Sequence, residues 1–237
     1  MSKALLAVFK ALGIKPPAKP TAARLVARLS DETGMSEGHL RGMLSKQGIN
    51  TRFIERLVVR EATARDVKRV SDAELYNFGD YDSARDVPKH EYEDTLGYYR
   101  DYAGRIAPTG VYSTNPRGKR DARTAHLLVA EGKDLGVLGH VSVYDNTLDL
   151  MATHRMLRGA PEGKRNMLAK LLVLKAMQVV KRDGHGSVVG GPLSEGARRM
   201  FKSMGFSILS KKALDERRDL WHLDHDACEY KLRKRKP

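Results

Sequence analysis

Cysteine is almost absent from this chain: Cys228 stands alone among 237 residues, which excludes an internal disulfide and a cysteine-rich metal site. That scarcity agrees with a reducing compartment, and a cytoplasmic location is the expectation. Long apolar runs are missing as well. The longest, "MLAKLLVLKAMQVV", is interrupted by Lys170 and Lys175 and falls short of the roughly 20 apolar residues of a membrane span, so a soluble protein without a membrane partner is expected. The opening "MSKALLAVFKALG" lacks the uncharged core and small-residue cleavage site of a secretory signal, and reads as a short amphipathic helix. Acidic charge is in short supply too, with 29 Asp and Glu against 43 Lys and Arg and a formal net charge of +14.

What is present is unevenly spread. Residues 1–57 carry +6, the tail "KLRKRKP" carries +5, and the long stretch between them only +3. Basic ends around a nearly neutral body suit DNA or RNA phosphates, by counterion release; a solvated charge run with no partner is the alternative. The expected organisation is a basic helix and Pro-rich hinge over 1–20, a small helical module over 21–55, an α/β domain over 56–230 and a basic tail over 231–237.

In the module, "TAARLVARLSDETGMSEGHLRGMLSKQGI" predicts two helices joined by a tight turn. Thr21 caps the first, Gly34 ends it, Ser36 caps the second, and Leu25, Val26, Leu29, Leu40, Met43 and Leu44 face inward. The spacing resembles a helix-turn-helix, which implies that Glu37, Gly38, His39 and Arg41 open a recognition helix, with Arg41 and Lys46 available to phosphates or bases. An ordinary helical hairpin fits the same residues. Arg233, Lys234, Arg235 and Lys236 in the tail complete the candidate nucleic-acid contacts.

Beyond residue 56 the pattern predicts strands at "RLVVREA", "AHLLVAEG", "LGVLGHVSVY", "TLDLMATHRM", "HGSVVGG" and "ACEYKLRK". Helices are predicted at "TARDVKRVSDAEL", "GKRNMLAKLLVLKAMQVVKRDG" and "SEGARRMFKSMG". The resulting β-α-β-β-β-α-β-α-β order indicates a mixed sheet with helices on both faces. An insertion over 77–124 holds six tyrosines, Tyr81, Tyr92, Tyr98, Tyr99, Tyr102 and Tyr112.

The order, with "VVREATARDV" at its start and "SEGARRMFKSMGF" near its end, resembles the GNAT superfamily of acyl-CoA-dependent N-acyltransferases over roughly residues 56–233. The resemblance implies an α/β (α+β) fold with a mixed, mainly antiparallel central sheet, and acetyl-CoA or another acyl-CoA as co-substrate with an amine as acceptor. It implies that the fourth strand and the next splay apart, so that Leu150, Met151, Ala152 and Thr153 offer backbone to the pantetheine arm. The loop "RGAPEGKRN" then meets the pyrophosphate through Arg158, Gly159, Gly163, Lys164 and Arg165 at the start of a long helix, where orphan N–H groups favour an anion. The same resemblance makes the 77–124 insertion a shaper of the acceptor site, where its aromatic and acidic residues would receive a cationic amine or stack on a base; core packing of a helical lid is the plainer reading.

The chain departs from the family at two places. Counting from Arg158, the fourth position of the phosphate motif is Pro161, which has no N–H to give. Phe201 stands where many members keep a tyrosine that protonates the departing thiolate. Asp149, His154 and Ser194 are the candidate catalytic residues, with His185 and Tyr144 as further substitutes for the missing donor. The "HLDHD" segment has metal-like composition without a further ligand nearby, and no metal is expected. An N-acyltransferase, a GNAT-shaped nucleic-acid-binding or interaction protein with an impaired site, and a regulator pairing a helix-turn-helix with a ligand-sensing domain are the three readings left open.

Overall fold

The computed structural model of the chain describes residues 2–45, 51–78, 87–104, 125–154, 157, 162–191, 194–216 and 227–233. Four helices come first: α1 (Ser2–Ala11), α2 (Ala22–Thr33), α3 (Glu37–Ser45) and α4 (Thr51–Ile54). The caps predicted for α2 are in place. The Thr21 hydroxyl accepts the Arg24 N–H at 3.3 Å, and Gly34 ends the helix at φ 74°, its N–H bonded to Ser30 O. Glycine suits that left-handed position, and a Cβ there would also press to 3.0 Å on the Leu232 side chain. Ser36 Oγ accepts the His39 N–H at 3.2 Å and starts α3.

The larger part of the chain runs β1 (Leu57–Glu61), α5 (Val67–Phe78), α6 (Lys89–Ala103), β2 (Ala125–Gly132), β3 (Gly136–Tyr144), β4 (Thr147–Thr153), α7 (Glu162–Arg182), β5 (Ser187–Gly190), α8 (Glu195–Ser203), β6 (Ser207–Ile208), α9 (Lys211–Glu216) and β7 (Cys228–Lys231). The strands form one sheet in the order β1-β2-β3-β4-β5-β7-β6. Every neighbouring pair is antiparallel except β4 and β5. The mixed, mainly antiparallel sheet expected from the sequence is therefore the observed one. Helix α6, the short β6 and α9 add to the predicted order. The fourth strand is shorter than "TLDLMATHRM" suggests, ending at Thr153, so His154 follows the strand instead of lying on it.

The two faces of the sheet are covered differently. On one, Leu128, Ala130, Val141, Val143 and Leu148 pack against α7 in an apolar cluster that continues into α1–α4 through Leu5, Phe9, Leu25, Leu29 and Leu40. Helix α7 is buried almost all round from Met167 to Leu174, since the sheet lies on one side and the amino-terminal helices on the other. The lysines that break its apolar run are set into this contact. Lys175 Nζ donates to Leu12 O at 3.1 Å, and burial lowers the pKa of both Lys170 and Lys175. Lys181 Nζ similarly reaches Asp31 O at 2.6 Å. On the opposite face, Leu127, Val129 and Val137 meet Val67 and Val70 of α5 and Tyr99 and Tyr102 of α6.

Candidate active site

The parallel pairing of β4 with β5 is brief. Thr147 pairs with Val189 and Leu148 with Gly190, and there the register ends. From Asp149 to Thr153, β4 has β3 on one edge and no paired strand on the other among the described residues. An open strand edge of this kind presents backbone donors and acceptors that a ligand's amides can complete. Helices α7 and α8 are the next elements after β4 and β5, respectively, so both N-termini lie toward the end of the sheet where these strands part.

At the same place β4 carries an extra residue. Between two paired positions, Val141–Met151 and Val143–Leu148, β3 advances by two residues and β4 by three. The bulge falls at Asp149 and Leu150. Leu148 and Met151 both turn toward the α7 side, while Asp149 is directed at α6. Its carboxylate accepts the Tyr102 hydroxyl at 2.7 Å, and the Tyr98 hydroxyl bonds to the same oxygen, Oδ2. Tyr98 and Tyr102 lie one helical turn apart on α6 with their rings 5.0 Å apart. Burial first, then the negative charges around them, raises the pKa of both phenols far above the usual range, so they remain proton donors to Asp149. No lysine or arginine among the described residues reaches this half-buried carboxylate.

Beside it is a second polar set. His140 of β3 is fully buried, with Nε2 2.9 Å from the Tyr99 hydroxyl and 3.1 Å from Glu74 Oε2 of α5. The Tyr99 bond has the better direction, and Glu74 Oε2 is left buried without a donor in hydrogen-bond geometry. The other imidazole nitrogen, Nδ1, has no partner either. Whichever nitrogen carries the proton, a buried polar atom stays unsatisfied, at about 1–3 kcal/mol.

The predicted catalytic residues are thus not one cluster. Asp149 belongs to the tyrosine site. Ser194 is the N-cap of α8, exposed, its Oγ accepting the Ala197 N–H at 3.2 Å. His154 lies half-buried just past β4, its N–H bonded to Leu138 O at 2.7 Å. Phe201 is buried on α8. Its ring would be 3.2 Å from a Cβ at Gly190, the last residue of β5, and it packs edge-on against Phe206 at 4.8 Å. It therefore lines the point where β4 and β5 part, with a hydrocarbon ring and no hydroxyl. Cys228 lies beside the same glycine, its thiol donating to Gly190 O at 3.3 Å and pushed up to about 12 by burial.

Of the predicted acyl-CoA contacts, Leu150, Met151, Ala152 and Thr153 occupy the open stretch of β4. Gly163, Lys164 and Arg165 fall in the first turn of α7, with only their backbone described, and Arg158, Gly159 and Pro161 lie outside the described residues. Among the nucleic-acid candidates, Arg41 makes an exposed ion pair with Glu37 at 3.4 Å. Arg233 donates its N–H to Gly34 O at 2.9 Å, and Lys46, Lys234, Lys236 and Arg235 lie outside the described residues, as does "HLDHD". The first turn of α3 rests on the sheet: Tyr230 OH accepts the Ser36 N–H at 2.8 Å and lies 3.0 Å from His39 Nδ1. Glu74 and His140 were not singled out by sequence reasoning. The available signal was the i, i+1, i+4 tyrosine spacing of "YYRDY", which puts three phenols along one side of a helix.

No helix among the described residues is long and apolar enough to cross a membrane. No protein-family model and no curated protein matches the chain. Solved structures of similar fold include a GNAT-family acetyltransferase from Staphylococcus aureus at 12% identity and TM-score 0.47, covering 75% of this chain and 99% of that one. An acetyltransferase from Streptococcus agalactiae has 17% identity and TM-score 0.45, with 75% and 99% covered. The PaiA N-acetyltransferase from Thermoplasma acidophilum, in complex with coenzyme A, has 12% identity and TM-score 0.43, with 74% and 98% covered.

Proposed function

We propose that this chain is an N-acyltransferase that moves an acyl group from acyl-CoA, in the first instance acetyl-CoA, to an amine. The observation that carries the proposal is the parting of β4 from β5 directly beside a bulge that presents Asp149. The open edge at Leu150–Thr153 suits the amides of a pantetheine arm. The start of α7, with Gly163, Lys164 and Arg165 and the preceding Arg158 and Gly159, suits its phosphates. A backbone N–H of the open edge polarises the thioester carbonyl. The acceptor arrives as an ammonium against Asp149 and the tyrosine rings, and Asp149 takes its proton. The neutral nitrogen then attacks the carbonyl carbon and the C–N bond forms, the nitrogen gives up its second proton to solvent, the C–S bond breaks and the thiolate leaves with the electron pair of that bond. With Phe201 at the cleft mouth, orientation and carbonyl polarisation supply most of the acceleration, and the thiolate is protonated from solvent.

Calorimetric titration with acetyl-CoA tests this most directly. Saturable binding at micromolar to low millimolar ligand is expected, and no heat at millimolar acetyl-CoA sinks the proposal.

A second reading, a GNAT-shaped protein that binds nucleic acid, is favoured by one contact. The Arg233 N–H is bonded to Gly34 O, which sets Arg233, at the start of the basic tail, beside the α2–α3 turn. Arg41, paired only at the surface, stays available for phosphate. Removing residues 234–237 together with Arg41→Ala is expected to flatten the salt dependence of binding to duplex DNA or RNA. An unchanged salt slope rules this reading out.

A further inference from the structure

Glu74, His140 and Tyr99 have no part in the proton transfer proposed above, yet they fill the space next to it. His140 is fully buried on β3 and is paired across the ladder with Ala152 of β4, within the open stretch. Its Nε2 meets the Tyr99 hydroxyl at 2.9 Å, its ring stands edge-on to the Tyr99 ring at 5.1 Å, and Glu74 Oε2 approaches Nε2 to 3.1 Å from the other helix. Two buried polar atoms, His140 Nδ1 and Glu74 Oε2, lack a well-directed hydrogen bond, while the Glu74 carboxylate also lies against the Tyr99 hydroxyl. On the opposite face the contact with α7 is mostly apolar, through Leu128, Ala130, Val141 and Val143, with buried His126 paired to Asp183 only at the end of the helix, so apolar side chains could have done the same packing here.

A polar contact supplies direction. A helix held only by dispersion can rotate or slide by fractions of a turn at little cost, whereas a hydrogen bond between Tyr99 and a fixed imidazole constrains the rotation of α6. Tyr98 follows Tyr99 in that rotation. The two rings are edge-on at 5.0 Å and 88°, and Tyr98 and Tyr102 carry the hydroxyls that meet Asp149. We infer that Glu74 and His140 are positioning residues, which hold α6 through Tyr99 in the rotation that aims the Tyr98 and Tyr102 hydroxyls at Asp149. The geometric claim stands on these contacts; its consequence for rate rests on the acyl-transfer reading.

The test compares the full-length parent with Glu74→Leu/His140→Leu, Tyr99→Phe and His140→Gln. Three readouts are taken: the thermal midpoint, the slowly exchanging hydroxyl protons of Tyr98 and Tyr102 by nuclear magnetic resonance, and thiol release from acetyl-CoA with n-butylamine as acceptor. The double variant is expected to keep or raise the midpoint and to lose both hydroxyl signals to rapid exchange. Its turnover should slow by up to about 100-fold with KM for acetyl-CoA unchanged. Tyr99→Phe behaves alike, and His140→Gln, whose amide can still bond Tyr99, restores the signals. Hydroxyl signals that persist in the double variant overturn the inference. So does a midpoint that falls together with them, because the pair would then be structural only. If the parent neither binds nor consumes acetyl-CoA, the acyl-transfer reading fails while the hydroxyl signals still decide the positioning.

Discussion

On the α7 side of the sheet, Val141, Val143 and Leu148 meet aliphatic and aromatic side chains, whereas on the α6 side His140, Ser142 and Asp149 alternate with them on the same strands. The α7 side buries a core that runs without interruption into the amino-terminal helices. The α6 side gives up part of that burial to hold a carboxylate, an imidazole and three phenols. The difference is one of degree: the α7 side is mainly apolar with the buried His126–Asp183 pair at its margin, the α6 side gathers its polar groups around Asp149, and each side keeps one buried imidazole nitrogen without a hydrogen bond.

The contrast is open to attack from both sides. The largest effect is expected at Asp149. Asp149→Asn still accepts the tyrosine hydroxyls but takes no proton, so kcat/KM for amine acetylation should fall by about 10²- to 10⁴-fold with little change in midpoint. A lost midpoint at preserved turnover would reverse the assignment of the faces. Next comes Leu172→Ala on the buried face, where about 2–5 kcal/mol of stability is expected to go, read by urea unfolding, with the folded fraction binding acetyl-CoA as before.

A smaller effect sits at the sheet margin. Asp66, nearly buried, receives Arg60 at 2.8 and 3.0 Å and the Thr63 N–H at 2.8 Å, and the Arg60 bonds foremost hold its carboxyl down to about 2. Because that value lies below the unfolded value of about 3.9, the stabilisation is complete above pH 4 and drains away as pH falls toward 2, by about 2 kcal/mol. Asp66→Asn should flatten this limb of the pH–stability curve. The smallest change is Phe201→Tyr. A hydroxyl placed among Gly190, Phe206 and the core costs about 1 kcal/mol by urea unfolding unless it emerges into the cleft. A rise in kcat without that loss would show the cleft mouth to be wetter than the apolar face it adjoins.

The strands and long helices were legible because their apolar alternation and caps are local: Thr21, Gly34 and Ser36 each do in space what their spacing implies. Helix α6 was legible only as tyrosines, since its sequence "KHEYEDTLGYYRDYA" carries few aliphatic residues to set a period. Asp149 could be named from its strand, but its partners lie 47 and 51 residues away in sequence. The bulge was hidden for a different reason. "TLDLMAT" alternates acceptably with or without an extra residue, and only the pairing with β3 shows where the count slips. Phe201 stood out through resemblance alone; its place against Gly190 depends on β5, which no pattern in α8 specifies.

That slipped count has a consequence for how this chain tolerates change in length. A strand is a two-beat pattern, and the bulge resets the beat between Leu148 and Met151. Deleting Leu150 would restore a two-for-two count with β3 and leave Leu148 and Met151 on the α7 side, whereas deleting Asp149 would restore the same count and put residue 150 in the place that faces α6. The ladder therefore accepts the loss of one residue at either position, and only the loss of Asp149 also removes the carboxylate that meets Tyr98 and Tyr102.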